Sequence, residues 1–459
     1  MKNMTLEKVA HSVGGQLFLP ENDTDDHRTL QGVVTDNRQI EKDFLFVPII
    51  GARVDGHTFI PDAFERGAMA VLSQRKLENP AGPYILVEDT EAALKSLATY
   101  YREQMDAYVI GIVGSVGKTS TKEMVASVLE QHFSVLKTQG NFNNEIGLPL
   151  TLFRVKEEHQ AAVVEMGISD FGEMHRLGTM AKPDMVIMTN IGLCHLENLG
   201  TRDGILKAKT EVFEHMPKDG VVILNGDDDK LQQADTLGME THFYGLEQEE
   251  YHGEDIHSGL TGVTATLSGP KWSERVIISI PGKHNVYNAL AAMAAGERLG
   301  LTKEEIVAGV QQAATISGRN NFIHANGMVI IDDCYNANPV SMAASLEVLS
   351  HASGRKIAVL GDMGELGDDE RKLHYQVGEA VVKNDIDLLF TAGELSKEMS
   401  KAVADCNGRT RTFSYDTKEE MTEALLKIVE KGDTILVKAS HFMNFPEVVS
   451  SLGTDTNGL

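Results

Sequence analysis

At 459 residues the chain is long enough for about three domains of roughly 150 residues each. Apolar residues make up 42% and charged residues 24%, and 42 Lys plus Arg against 67 Asp plus Glu leave a net charge of −25, which excludes a general nucleic-acid binder. Met1 to Ala10 has no apolar core of signal-peptide type, and no run reaches the ~18–20 apolar residues of a membrane span. Cys194, Cys334 and Cys406 have neither metal-ligand spacing nor the number for a disulfide framework. A cytoplasmic, multidomain monomer is expected, without a membrane span or a nucleic-acid partner.

The first ~105 residues alternate strands (Asp43 to Ile50, Tyr84 to Val87) with helical stretches, of which Glu91 to Gln104 is the clearest. A domain boundary falls near Asp106. The strand Tyr108 to Val113, a glycine-rich turn and a helix from Lys118 to His132 come next, with Met124, Val125, Val128 and Leu129 on one helix face. Strands at Ala161 to Glu165, Met185 to Met188 and Val221 to Leu224 extend an α/β pattern that places ligands at strand C-terminal ends. A β-rich insert spans roughly Thr241 to Ile280. Near Gly318 the pattern restarts with strands Met328 to Ile331, Lys356 to Leu360, Asp387 to Phe390 and Thr434 to Val437. These mark a second, smaller doubly wound sheet without a G-x-G-x-x-G turn. The domains are therefore expected at 1–105, 106–318 and 319–459, closely abutting, in an α/β fold with mostly parallel sheets.

Between strand and helix lies Gly111-Ile-Val-Gly114-Ser115-Val116-Gly117-Lys118-Thr119-Ser120. Glycines let such a turn aim backbone N–H groups at phosphate oxygens, helped by the helix N-terminus. Lys118 would offset β/γ-phosphate charge and the Thr119 hydroxyl would bind Mg²⁺. The strict G-x-x-x-x-G-K-[ST] pattern wants glycine at 112, where this chain has Ile112.

Other positions are less specific on their own. Glu165 ends an apolar strand and points toward the crevice where Mg²⁺ would sit, although a solvated strand-end acid is the simpler reading in isolation. His195 follows a neighbouring strand end, a place where histidines are more often structural, and Cys194 reads as a small packed residue. Lys209 reads as a solvated helix lysine. The amide-rich loop Asn141-Phe-Asn143-Asn144 suits phosphate or peptide binding and an Asx-turn cluster equally well. His284-Asn285-Val-Tyr-Asn288 suits a helix cap. Asp332-Asp333-Cys-Tyr335-Asn336-Ala-Asn338-Pro339 puts acids and amides at a strand end facing another domain.

Together, Gly114 to Ser120, Thr138-Gln-Gly-Asn-Phe-Asn-Asn-Glu-Ile-Gly-Leu-Pro149, Thr189-Asn-Ile-Gly-Leu-Cys-His-Leu-Glu197, Asp332 to Pro339 and Leu360-Gly-Asp-Met-Gly-Glu-Leu-Gly367 resemble the Mur ligase family of ATP-dependent amide-bond ligases. The resemblance spans nearly the whole chain in order. It implies an N-terminal α/β domain for a UDP-sugar, a central P-loop ATPase and a C-terminal Rossmann-like domain for the incoming dipeptide. The Tyr335 to Pro339 and Gly361 to Gly367 segments imply that the acceptor is UDP-N-acetylmuramoyl-tripeptide and that the dipeptide is D-alanyl-D-alanine.

By the same resemblance, Thr119 and Glu165 hold one Mg²⁺, and Glu165, His195 and a carbamylated Lys209 hold a second. Asn288 is implied as the adenine contact, with Arg319 and Asp333 as phosphate and ribose contacts. Thr35, Asn37 and Arg38, with Val54-Asp-Gly-His57, resemble the UDP-binding part, and Asn141, Asn143, Asn144, Tyr335, Asn336 and Asn338 are the expected substrate contacts. Departures from the family pattern are Val116, where Asn is frequent, Asn37 in place of Ser or Thr, Lys438-Ala-Ser-His441 in place of Lys-Gly-Ser-Arg, and Pro446 in place of Glu. No role is expected for that terminal loop. The alternatives are a sibling Mur-type or folylpolyglutamate-type ligase adding one amino acid, and a P-loop nucleotide switch. The absence of an Asn-Lys-x-Asp tetrapeptide weighs against the switch. A non-catalytic paralogue is disfavoured because Lys118, Thr119, Glu165, His195 and Lys209 are all present.

Overall fold

The computed structural model describes residues 1–20, 28–247, 249–406 and 408–454. Three sheets organise them, of five, nine and six strands. In the first, Gln16–Phe18 runs antiparallel beside Tyr84–Leu86, and Ala70–Ser73, Phe44–Phe46 and Gly32–Val34 follow in parallel. The strand expected over Asp43 to Ile50 is thus only Phe44–Phe46. It stops short of Pro48, which has no N–H to give a ladder.

In the nine-stranded sheet the strand Tyr108–Val113 lies between Ala161–Glu165 and Met185–Met188, parallel to both. Three strand ends therefore open side by side: the glycine-rich turn follows the middle one, the loop with Cys194 and His195 follows Met185–Met188, and Glu165 is the last residue of the third. The inner strand is buried throughout its centre, with Val109, Ile110, Ile112 and Val113 each at 0% exposure. Each such side chain contributes about 1.5–3 kcal/mol, so the loop that follows is anchored on a rigid base. The helix Lys118–Leu129 buries Met124, Val125, Val128 and Leu129, the face expected from periodicity. It packs against the alanine-rich helix His284–Arg298, whose small side chains allow close approach.

The β-rich stretch near Thr241 to Ile280 is not a separate insert. Glu240–Gly245 pairs in parallel with Val221–Asn225, and Tyr251–Gly259, Gly262–Ser268 and Ser273–Ile278 continue the same sheet to its edge. The third sheet runs Asn321–Ala325, Met328–Asp332, Thr434–Lys438, Lys356–Gly361, Leu388–Ala392, Arg411–Tyr415, with the first of these antiparallel. Arg411–Tyr415 has no expected counterpart, because this edge strand buries too little to show an apolar pattern.

The N-terminal and middle domains share one apolar core. Tyr101 donates to the Val155 carbonyl at 2.6 Å, and Arg102 pairs with Asp184 at 2.9 Å. The C-terminal domain keeps cores of its own, touched from the middle domain by Leu193 and Leu260.

Candidate active site

The phosphate loop occupies residues 114 to 117. Gly111 lies inside the strand rather than in the turn. Gly114 sits at φ +152°, and a Cβ there would stand 2.0 Å from Thr189 Oγ1, so no side chain fits. Gly117, at φ +84°, turns the chain into the helix that starts at Lys118. The loop after Met185–Met188 braces this turn from the side. Thr189 Oγ1 donates to the Val116 carbonyl at 2.6 Å, the Val116 N–H donates to Asn190 Oδ1 at 3.0 Å, and the Gly192 N–H donates to Ser115 Oγ at 2.9 Å. The Lys118 ammonium folds back onto the Gly114 carbonyl at 2.9 Å.

Glu165 is not a solvated acid. It is 3% exposed, and its carboxylate accepts from Thr119 Oγ1 at 2.8 Å and from Asn143 Nδ2 at 2.7 Å. A buried carboxylate and a threonine hydroxyl at the loop's end form an oxygen donor set suited to a hard cation such as Mg²⁺. With a phosphate-sized turn beside it, the residues present fit a magnesium–nucleotide complex.

His195 lines the same cleft, and its Nδ1 meets Glu365 Oε2 at 2.7 Å. Burial lowers its pKa, with help from the positive charges of Lys209 and Lys118, against the raising effect of Glu365. Lys209 corrects its solvated reading most sharply: it is 1% exposed, and burial, then the charge of Lys118, pushes its pKa down to about 8. The helix Arg202–Thr210 turns Ile205, Ala208 and Lys209 inward together. That i, i+3, i+4 spacing was present in the sequence as a signal. Lys209 lies behind the cleft surface, within electrostatic reach of Cys194, which lines it.

The amide loop divides its roles. Asn143 reaches Glu165, Asn144 Oδ1 accepts from the Gly147 N–H at 2.8 Å at the start of the next helix, and Asn141 is exposed. Asn288 lines the cleft, with its amide held by Thr121 Oγ1 at 2.7 Å and Asn285 Oδ1 at 2.8 Å. The helix-cap reading of His284 to Asn288 is not met. The cap position is Lys283, without a side-chain cap bond, while Asn285 donates to the Pro281 carbonyl at 2.7 Å.

The facing wall comes from the third domain. Arg319 stacks over the Tyr335 ring at 4.2 Å. Asp333 pairs with Lys438 at 2.6 Å and accepts from the Asn320 N–H at 3.1 Å, and both partners of the ion pair are buried. Lys438 also donates to the Asn336 carbonyl at 3.1 Å. Asn338 caps the helix Pro339–Ser350 through Ser341 N–H at 2.9 Å, although it also lines the cleft. Two residues here were not foreseen as participants. Lys438 belongs to the terminal loop given no role, and Glu365 sits in a segment quoted only for its resemblance. Neither sits in a short motif with its partner, so spacing could not reveal them.

Between floor and wall is a cavity of about 470 Å³ that reaches from Ser115, Lys118 and Ser120 to Arg319 and Asp333. Thr35, Asn37 and Arg38 are not part of its lining. They follow the strand Gly32–Val34 in the first domain, where Asn37 donates to Asp62 at 2.7 Å and Arg38 pairs with Asp36 at 2.7 Å.

Fold and cleft together define a three-domain nucleotide-binding enzyme whose phosphate loop and buried acid face a separate domain across the site. Three family models match in order: "Mur ligase family, catalytic domain" over residues 29–102, "Mur ligase middle domain" over 112–296 and "Mur ligase, glutamate ligase domain" over 318–441. The UDP-N-acetylmuramoyl-tripeptide--D-alanyl-D-alanine ligase of Bacillus subtilis (strain 168) is 39% identical, covering 98% of this chain and 99% of its own length. The enzyme of the same name from Escherichia coli (strain K12) is 36% identical over the same shares. Among solved structures, MurF from Acinetobacter baumannii superposes with a TM-score of 0.89 at 31% identity, covering 98% of each chain. The chain belongs to the Mur ligase family.

Proposed function

We propose that the chain is the ligase that joins D-alanyl-D-alanine to UDP-N-acetylmuramoyl-tripeptide using ATP, in the cytoplasmic synthesis of peptidoglycan precursors. The observation that carries this is one cavity in which the Gly114 to Ser120 loop and the Thr119–Glu165 pair face Arg319, Asp333 and Tyr335 from another domain. Such a site holds a nucleotide between floor and wall, with Arg319 and Asp333 assigned to its phosphate and ribose, and leaves Tyr335, Asn336 and Asn338 to a second reactant. End-to-end similarity to ligases of that name supplies the substrates. MurF ligase from Thermotoga maritima, solved in complex with ADP, has a TM-score of 0.82 at 29% identity, covering 92% of this chain and 97% of its own.

The tripeptide's terminal carboxylate oxygen attacks the γ-phosphorus, ADP leaves and an acyl phosphate forms. The dipeptide amine then attacks the acyl carbon, phosphate leaves and the amine loses a proton. Backbone N–H groups of Gly117, Lys118 and Thr119 at the helix N-terminus, with the Lys118 ammonium, hold the phosphates and offset charge as it moves. Two bound Mg²⁺ ions would neutralise phosphate oxygens and let a carboxylate approach a polyanion. Thr119 and Glu165 are assigned to one, and Glu165, His195 and a carbamate on Lys209 to the other.

The carbamate reading is supported by the lowered pKa of Lys209, which keeps a share of neutral amine available to CO₂. Residues 1–105 are assigned to the UDP-sugar, 106–318 to ATP and 319–459 to the dipeptide, with the chain acting as a monomer. Among the described residues no helix is long and apolar enough to cross a membrane.

A phosphate-release assay with purified protein tests this. Release should require ATP, the tripeptide acceptor and D-alanyl-D-alanine together. Release without either acceptor, or a preference for a single amino acid over the dipeptide, would overturn the assignment.

A further inference from the structure

His195 and Glu365 belong to different domains, yet Nδ1 of the first lies 2.7 Å from Oε2 of the second. Each is a non-glycine residue held at positive φ, +53° for His195 and +62° for Glu365, an uncommon backbone conformation at both ends of the contact. The loop that carries Glu365 is firmly seated. The Met363 N–H donates to His374 Nε2 at 2.9 Å, the Gly364 N–H donates to Ser440 Oγ at 3.0 Å, and Met363 and Leu366 are buried at 1% and 3% exposure. Gly364, Glu365 and Leu366 all line the nucleotide cavity. The carboxylate, itself 64% exposed, is therefore presented to His195 by a braced loop of the third domain.

An imidazole that gives one ring N–H to a carboxylate is fixed in tautomer and orientation, and its other nitrogen becomes the ligand atom. We propose that Glu365 is a positioning residue: it accepts the His195 Nδ1–H across the domain boundary and reserves Nε2 for the cation, so that the cation site is complete only when the third domain is closed. This rests on the reading of His195 as a cation ligand. It also gives the Gly361 to Gly367 segment a role that dipeptide binding by the third domain does not by itself require.

The test uses the full chain with Mn²⁺ as the probe and a non-hydrolysable ATP analogue, reading free Mn²⁺ by electron paramagnetic resonance. Glu365→Ala should weaken Mn²⁺ binding about 10-fold or more, the range for a lost carboxylate behind a metal-ligating histidine. Glu365→Gln, whose carbonyl still accepts, should fall between Ala and native. Affinity for the analogue at saturating Mn²⁺ should hold in both variants, a split that a merely structural role would not produce. Adding Glu365→Ala to His195→Ala should cost nothing further. If Glu365→Ala binds Mn²⁺ as the native protein does while His195→Ala does not, the inference falls alone. If both bind as native, the reading of His195 falls and takes the inference with it.

Discussion

The floor of the cleft and its far wall are built on opposite plans. The floor is a short contiguous stretch, Gly114 to Ser120, completed by residues at the ends of two adjacent parallel strands, and its contacts are largely backbone to backbone or backbone to short polar side chains. The wall is assembled from positions far apart in the chain: Asp333 with Lys438, and Glu365 reaching over to His195. The floor shares a rigid body with the N-terminal domain through one apolar core, while the wall belongs to a domain with cores of its own. One side is thus preformed and the other is brought to it, an arrangement that suits closure around a bound nucleotide.

The largest expected effect tests the floor. Lys118→Ala should lower ligation by about 10²–10³-fold or more while leaving the melting temperature unchanged, because the side chain is a phosphate counter-charge in a turn held by other residues. Ligation at near-native rate would remove the phosphate-loop assignment. Next comes Lys209→Ala, with a loss on the order of 10²-fold, the scale of a lost group in a metal's shell, partly restored by added short-chain carboxylic acids. The native protein should show a labelled carbamate signal with ¹³CO₂ that the variant lacks. Its pKa of about 8 lies below the ordinary lysine value of 10.5, so the neutral amine grows as pH rises through 8. At fixed dissolved CO₂ the carbamate signal should therefore rise from pH 7 to 9. A flat or falling signal would count against that amine as the site.

This contrast also explains what the sequence revealed. Gly117-Lys118-Thr119 between a strand and a helix could be read because its function depends on spacing along the chain. The strands Tyr108–Val113, Ala161–Glu165 and Met185–Met188 matched their expected ranges because parallel strands buried on both faces are uninterrupted apolar runs. Glu165 gained its meaning only from Thr119 and Asn143, each more than twenty residues away. Lys209 was misread because a lysine inside an apolar stripe is discounted as an exposed neighbour of it, and only packing shows it turned inward. Lys438 and Asp333 are separated by 105 positions, so no motif along the chain joins them, and only the fold shows that the two charges are buried together.

The wall can be broken separately from the floor. Lys438→Met leaves the Asp333 carboxylate buried without its counter-charge, which should cost about 3–5 kcal/mol of stability by urea unfolding. Adding Asp333→Asn should recover most of that loss, since the amide can still serve Asn320 and Ser345 without a charge to neutralise. Because Asp333 is assigned to the nucleotide, the double variant should be stable yet show a raised KM for ATP. Recovery of stability and KM together would mean that the pair is structural only.

The smallest expected effect sharpens the comparison most, because it asks whether the floor uses side chains at position 116 at all. Val116 stands where the family pattern often has Asn, but its N–H and carbonyl are already committed to Asn190 and Thr189. A loop that binds phosphate through backbone N–H groups should be indifferent to the side chain here, provided the backbone path is kept. That path is fixed elsewhere, by Gly114 against Thr189 and by the left-handed turn at Gly117. Val116→Asn should therefore change kcat/KM for ATP by no more than about twofold, equivalent to roughly 0.5 kcal/mol, with a melting temperature to match. Gly114→Ala, which forces a Cβ against the Thr189 hydroxyl, should by contrast cost most of the activity in the same assay. A tenfold change from Val116→Asn would show that the side chain at 116 reaches the nucleotide, and the floor would then depend on side-chain contacts much as the wall does.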